Sequence, residues 1–253
     1  MKIITFGDYN YIPHLINCYR NLKEFNRHND LIIVSVDQNT VDKIKTIEPT
    51  CDVRLFISKK YDYTIYIKHE IIHEYIKIYD KVFYLDSDIL IFIDFFNIIE
   101  KMLDKYDIIL KFYLQADRFN RGNLRNIINT GTIGVKKTEN VYKLFDYVFN
   151  KTTNIDNFDE YHNTDFIGSN SIKYGNLDEY HYTDFIDNNS INYGIIDDCI
   201  NLINNEKQSY RIEEIKQLSP MSFHPTYTIN KFYPDRHYTK IQVAKALGKW
   251  FYD

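Results

Sequence analysis

An α/β fold with a mainly parallel central sheet flanked by helices is predicted from three observations. Short apolar runs at Ile3 to Phe6, Leu31 to Val36, Val53 to Ile57 and Val82 to Leu85 alternate with stretches whose apolar residues recur at helical spacing, the order that strand–helix–strand crossovers require. The run Val82 to Leu85 is apolar at every position, as a strand covered on both faces must be. The chain of 253 residues is long enough to bury one sizeable core without covalent staples.

The first strand, Ile3 to Phe6, leads through Gly7-Asp8-Tyr9-Asn10-Tyr11 into a helix with Pro13 in its first turn and Ile12, Leu15, Ile16, Tyr19 and Leu22 on one face. Ligands of open parallel sheets bind at this carboxyl edge. The turn has no Gly-x-Gly-x-x-Gly pattern, so a dinucleotide loop is not expected. Val41, Ile44 and Ile47 predict a second helix stopped by Pro49, and Ile67, Ile71, Ile72, Tyr75 and Ile78 a third. That third helix enters the apolar strand, which stops at Asp86-Ser87-Asp88. In an extended segment the two carboxylates project to the same side. They form the expected ligand pair of a divalent cation, set in a solvent-accessible cleft and completed by a second anion such as a diphosphate.

A helix is predicted from Asp94, a strand from Ile108 to Leu114, a polar basic loop from Arg118 to Arg125, a strand from Ile127 to Val135, and a helix capped by Thr138. An internal duplication follows. Asp159 to Leu177 and Asp178 to Ile196 align without gaps, with 13 identities in 19 positions. Two copies are too few for a solenoid, so one copy is expected to line the cleft and the other to project, where it could contact a second copy of the chain in a homo-oligomer. Each copy carries Thr-Asp-Phe, at Asp165 and Asp184. Beyond it the pattern predicts a helix around Ile195 to Ile203, a strand from Tyr210 to Leu218, and a terminal amphipathic helix carrying Val243, Ala244, Leu247, Trp250 and Phe251. His224 precedes Pro225, which favours an extended or turn conformation.

Composition narrows the function. A net charge of -4 argues against a nucleic-acid surface. The odd, scattered cysteines Cys18, Cys51 and Cys199 fit neither a disulfide framework nor a Cys-x-x-Cys metal site. No signal peptide or membrane span is read from the sequence, so the expected location is the cytoplasm. His69-Glu70-Ile71-Ile72-His73 matches the zinc-protease pattern His-Glu-x-x-His, but a catalytic zinc needs a third ligand and the Gly-x-x-His continuation of one major class is absent.

Glu74-Tyr75-Ile76 followed by Asp80 to Leu90 resembles the helix, strand and Asp-x-Asp signature of the retaining, metal-dependent glycosyltransferases of family 8, the glycogenin and bacterial galactosyltransferase type. The resemblance implies a GT-A fold in a single domain, residues 1–150 forming the nucleotide-sugar half and 151–253 the acceptor half. It implies transfer of a hexose from a UDP-sugar to a carbohydrate, protein or lipid acceptor. Asp86 and Asp88 would hold Mn²⁺ or Mg²⁺ with His224 as third ligand, an imidazole favouring Mn²⁺. Asp8, Asn10 and Tyr11 match the family's nucleotide turn, Asn129-Thr130-Gly131 its Asn-x-Gly strand, and Lys68 or His69 the place of its basic residue near the donor, with Ser87 between the two acids. The family's Gly and Lys-Pro-Trp after the histidine are absent, and Thr-Asp-Phe stands where Asp-Gln is expected. Should a covalent intermediate form, Asp165 or Asp184 would be its nucleophile. Three other classes are weighed against this one: a non-catalytic nucleotide-sugar-binding protein, an aspartyl-phosphate phosphatase and the zinc metalloprotease.

Overall fold

The structure is a computed structural model that describes residues 1–58, 64–116, 124–153, 191–197, 200–203, 212–225 and 236–252. Its first half alternates as the periodicity predicts: β1 (Lys2–Phe6), α1 (Ile12–Glu24), β2 (Leu31–Ser35), α2 (Gln38–Ile47), β3 (Val53–Leu55), α3 (Thr64–Ile78) and β4 (Lys81–Leu85). After a two-residue strand β5 (Leu90–Ile91) come α4 (Phe96–Lys105), β6 (Ile108–Ala116), β7 (Leu124–Lys136) and α5 (Glu139–Thr153). The remaining elements are β8 (Tyr193–Ile195), β9 (Asn201–Ile203), α6 (Ile212–Leu218), β10 (Ser222–His224) and α7 (Arg236–Ala246). No helix among the described residues is long and apolar enough to cross a membrane.

Among the described residues seven strands form the main sheet in the order β3-β2-β1-β4-β7-β6-β8, and of these only β7 runs against the rest. Side-chain alternation splits the core in two. Ile3, Ile33, Phe83 and Ile109 face α1, α2 and α4, whereas Ile4, Ile32, Val82, Tyr84 and Ile133 face α3 and α5. Burial on both faces explains why β2 and β4 read as unbroken apolar runs. A small second sheet, β5-β10-β9, carries a third cluster of Leu90, Phe223, Ile215 and Ala244.

Three expectations are corrected in the second half. The described residues of the expected helix Ile195 to Ile203 are the end of β8, the short stretch 196–197, a turn at Ile200 and the whole of β9, because Tyr193-Gly194-Ile195 alternates exposed, buried, exposed against β6. Within the expected strand Tyr210 to Leu218, the described part is the helix α6, with Glu213 and Glu214 in its first turn and Ile215 buried. The last helix ends at Ala246, because Gly248 takes φ +69. Its N–H bonds Lys245 O at 3.0 Å while that of Lys249 bonds Ala244 O at 2.8 Å, a glycine stop. Leu247, Trp250 and Phe251 therefore lie beyond the helix, in a strap clamped by Asn17, whose amide donates to Lys249 O at 3.0 Å and accepts from Phe251 N at 2.6 Å. The duplicated segments lie outside the described residues except for 191–196, and with them Asp165 and Asp184.

Candidate functional site

The site is built where β4, the middle strand of the main sheet, runs out. Leu85 is the last residue to pair with β7, at Thr132. The Asp86 N–H then donates to Gly131 O at 2.8 Å, and the Ile89 N–H closes a turn on Asp86 O at 3.1 Å. Asp86 and Asp88 thus converge through a turn at Ser87-Asp88, not through the strand alternation expected from the sequence.

β7 contributes the floor. Its pairing with β6 jumps from Ile133 to Asn129 across the register shift between Leu110 and Lys111, so Thr130, Gly131 and Thr132 leave β6 and arch toward the end of β4. Gly131 is the close-approach residue. A Cβ placed there would sit 2.6 Å from Asp86 Oδ2 and 3.0 Å from Asn129 Oδ1, and would collide with His224 Cε1.

His224 arrives on β10, tied to the floor by a buried polar chain: Asn201 Nδ2 donates to Thr132 Oγ1 at 2.8 Å, and the Ser222 hydroxyl bonds Ile200 O at 2.8 Å beside Asn201 Oδ1 at 3.1 Å. His224 Nε2 lies 3.3 Å from Asp88 Oδ1 and 3.5 Å from Asp86 Oδ2, and one ligand atom from each of the three residues lies within 4.8 Å of the others. Ligand distances of ~2.0–2.2 Å to a divalent metal put neighbouring donor atoms roughly 3–3.5 Å apart, so the three residues fit such an ion. Asp88 Oδ1 and His224 Nδ1 are buried with no hydrogen-bond partner among the described residues. An orphaned carboxylate oxygen facing an imidazole nitrogen suits a shared cation.

The charges are held in place by groups behind them. Tyr84, in the middle of the apolar strand, donates its hydroxyl to Asp86 Oδ1 at 2.9 Å. Burial, and then Asp86 itself, push the Tyr84 phenol well up, so it remains a donor. Asp88 is paired through Oδ2 with the ammonium of Lys240 on α7. Burial alone would raise the Asp88 pKa, yet Lys240 and His224 hold it well below the usual carboxylate range. The Lys240 ammonium shows the reverse balance, burial lowering its pKa and Asp88 raising it to a net increase. With Asp88 only 6% exposed, the solvent-accessible pair expected from the sequence is corrected to one open carboxylate and one buried, paired one.

In front of the acids lies a cavity of about 200 Å³ lined by Asp8, Tyr11, Lys68, Ser87 and Lys240 as well as the acids themselves. Lys68 Nζ donates to Thr130 Oγ1 at 2.6 Å across it. Asp8 caps the turn by accepting from Asn10 N at 2.9 Å, and burial raises the Tyr11 phenol. Asn10 is exposed and His69 is buried in α3; neither lines the cavity. Asn129 is buried beside it, accepting from Gly131 N at 3.1 Å. His73 stacks on Phe145 at 5.6 Å, and the HEIIH pair joins no metal-ligand group among the described residues.

Tyr84 and Lys240 were not singled out from the sequence, and Gly131 only as the end of the Asn129-Thr130-Gly131 match. Tyr84 had a signal, since a phenol in a buried strand must find a partner for its hydroxyl. Gly131 had one too, because glycine inside a strand marks close backbone approach. Lys240 had none: it is one cation in a helix far along the chain.

No known family profile matches the sequence, and no curated protein does. Solved structures match over nearly the whole chain at low identity. The galactosyltransferase LgtC, in complex with donor and acceptor sugar analogues, aligns with a TM-score of 0.57 and 12% identity over 99% of this chain and 96% of its own. The glycosyltransferase GlyE of Streptococcus pneumoniae TIGR4 aligns with a TM-score of 0.55 and 16% identity over 99% of this chain, which spans 63% of GlyE. Mouse xyloside xylosyltransferase 1 aligns with a TM-score of 0.53 and 12% identity over 89% of this chain and 97% of its own. The chain therefore has the GT-A fold.

Proposed function

We propose that the protein is a metal-dependent glycosyltransferase that moves a hexose from a UDP-sugar to an acceptor with retention of configuration. The observation that carries the reading is the preformed trio of Asp86, Asp88 and His224 at the mouth of a lysine-lined cavity on a GT-A sheet. The likeness to galactosyl- and xylosyltransferases supports it.

Asp86, Asp88 and His224 would hold Mn²⁺ or Mg²⁺. When bound, the ion supplies Lewis-acid stabilisation of the charge that grows on a departing diphosphate. The rest is the work of the chain. Lys68 and Lys240 line the same cavity and place two positive charges where that phosphate charge develops. Tyr11 offers an aromatic face for the base, with Asp8 beside it for polar contacts, and Asn129 stands behind Gly131 on the side assigned to the donor sugar. In same-face attack the leaving phosphate takes the acceptor proton, so no dedicated base is required of the protein.

Two measurements test the reading. UDP with Mn²⁺ at about 100 times its Kd should stabilise the fold by ~2.7 kcal/mol, which raises Tm by about 5–10 °C in a domain of this size, and EDTA should remove the shift. A panel of UDP-sugars should include one hydrolysed with Mn²⁺ and not by His224→Ala. A protein unaffected by UDP and Mn²⁺ in both assays is not a transferase of this kind, whereas stabilisation without hydrolysis of any donor marks a nucleotide-sugar-binding protein.

A further inference from the structure

The buried ion pair between Lys240 and Asp88 is one of several anchors of α7, which is also held through Ala244 in the third core cluster and through the strap on Asn17. It also changes the electrostatics of the ligand trio. Lys240 occupies Oδ2 of Asp88 and leaves Oδ1 facing His224 Nε2. The bonded oxygen keeps Asp88 turned with a single oxygen toward the ligand cluster. The ammonium, its side chain 15% exposed, lines the cavity and stands beside the place a divalent cation would take.

Charge balance then decides the order of events. Asp86 and Asp88 carry two negative charges, and Lys240 already cancels one. A divalent ion entering alone would meet one uncompensated negative charge and a neighbouring ammonium in a poorly solvated site, where like charges repel far more than in water. A diphosphate in the same cavity offers oxygens to both the ion and the ammonium, and turns repulsion between two cations into attraction of both for one anion.

On the reading that this is a metal and nucleoside-diphosphate site, we infer that Lys240 makes cation binding conditional on the diphosphate. It is a coupling residue: with it the ion binds weakly alone and tightly together with the nucleotide. The coupling is reciprocal, so Mn²⁺ tightens UDP by the same factor that UDP tightens Mn²⁺.

The test is Mn²⁺ affinity, read from the free-ion electron paramagnetic resonance signal, for wild type, Lys240→Gln and Lys240→Arg, with and without UDP. Gln keeps a donor for Asp88 Oδ2 and removes the charge. In wild type, UDP should tighten Mn²⁺ by a factor in the usual coupling range of about 5–150. Lys240→Gln should bind Mn²⁺ alone about tenfold tighter than wild type and lose most of the UDP effect, while Lys240→Arg keeps it. Lys240→Asn, which also keeps an amide donor without the charge, provides the same comparison should the Gln variant fail to fold. Wild-type coupling that survives in Lys240→Gln, or unchanged or weaker Mn²⁺ binding by that variant alone, overturns the role of Lys240 and leaves the metal reading standing. Absence of Mn²⁺ binding in every variant, with or without UDP, overturns both.

Discussion

Replacing Gly131 by Ala adds one methyl group at the floor of the ligand trio. Its Cβ would lie 2.6 Å from Asp86 Oδ2 and 3.0 Å from Asn129 Oδ1, and closer still to His224 Cε1, whereas unstrained carbon contacts sit at about 3.5–4.0 Å. Asp86 and His224 must each give by several tenths of an ångström or more. Swinging Asp86 aside strains its bond to Tyr84, and His224 is 2% exposed, so both shifts are opposed by existing contacts. Overpacking of this kind costs about 1–3 kcal/mol, so Tm should fall by about 2–12 °C. Disturbing the supports of a metal ligand costs about 10–100-fold in affinity, and displacing two ligands should cost at least the upper end, ~100-fold for Mn²⁺ in the presence of UDP. Gly134→Ala separates the two effects. Three residues further along β7, its Cβ would press on Ile109 and come within 3.4 Å of Phe83, so it should lose comparable stability and keep its Mn²⁺ affinity. Thermal melts and Mn²⁺ titrations on both variants provide the comparison. Gly131→Ala binding Mn²⁺ within threefold of wild type would falsify the cradle.

Two further outcomes follow from the same geometry. Tyr84→Phe removes the hydroxyl that orients Asp86, and Mn²⁺ affinity should drop about 10–100-fold with little change in the far-ultraviolet circular dichroism spectrum; an unchanged Mn²⁺ titration refutes the orienting role. Asp88→Asn strands the Lys240 ammonium in a buried site and should cost about 3–5 kcal/mol at pH 7 by urea denaturation. The Asp88 pKa is lowered in the fold, so its contribution is complete above the unfolded value of ~3.9 and is lost as pH falls from there through the folded value. The wild type and the Asn variant should converge in acid, and a gap that stays constant down to pH 3 would show that the pair is not the source of the loss.

The first half of the fold was legible because each strand and helix there is long enough to express its period and is bounded by a stop. Pro49 follows α2, and the Asp-x-Asp follows β4. The second half was harder for a physical reason: β8, β9 and β10 have three residues each, too few to distinguish alternation from one helical turn. The expected terminal helix runs on past Gly248, because a strap packing on α1 presents the same apolar residues as another helical turn. Asp86 and Asp88 stood out because carboxylates at the end of a buried strand are unusual. His224 was found through the resemblance, and the structure brings it to the two acids. His69 was assigned to the donor side by the same route and lies buried in α3, away from the cavity.

How His224 comes to lie beside residues more than a hundred positions earlier is a matter of strand register. β10 runs antiparallel to β5, with Ser222 opposite Ile91 and Phe223 opposite Leu90. Continuing one residue puts His224 beside Ile89, next to Asp88. β5 begins two residues after Asp88, so it is the strand that carries the turn's position into the second sheet. It is held on its other side by Asn21 of α1, whose amide donates to Ile91 O at 2.9 Å and accepts from Ile91 N at 2.8 Å. The opposite edge of β10 is set by β9 and by the chain from Ser222 through Asn201 to Thr132, next to Gly131. A slip of one residue in either pairing would turn the imidazole to the other face of the small sheet and would break Asn201's bridge to the floor. The ligand trio is therefore fixed by two independent registers that must agree, and a buried asparagine stands at each: Asn21 for β5 and Asn201 for β9.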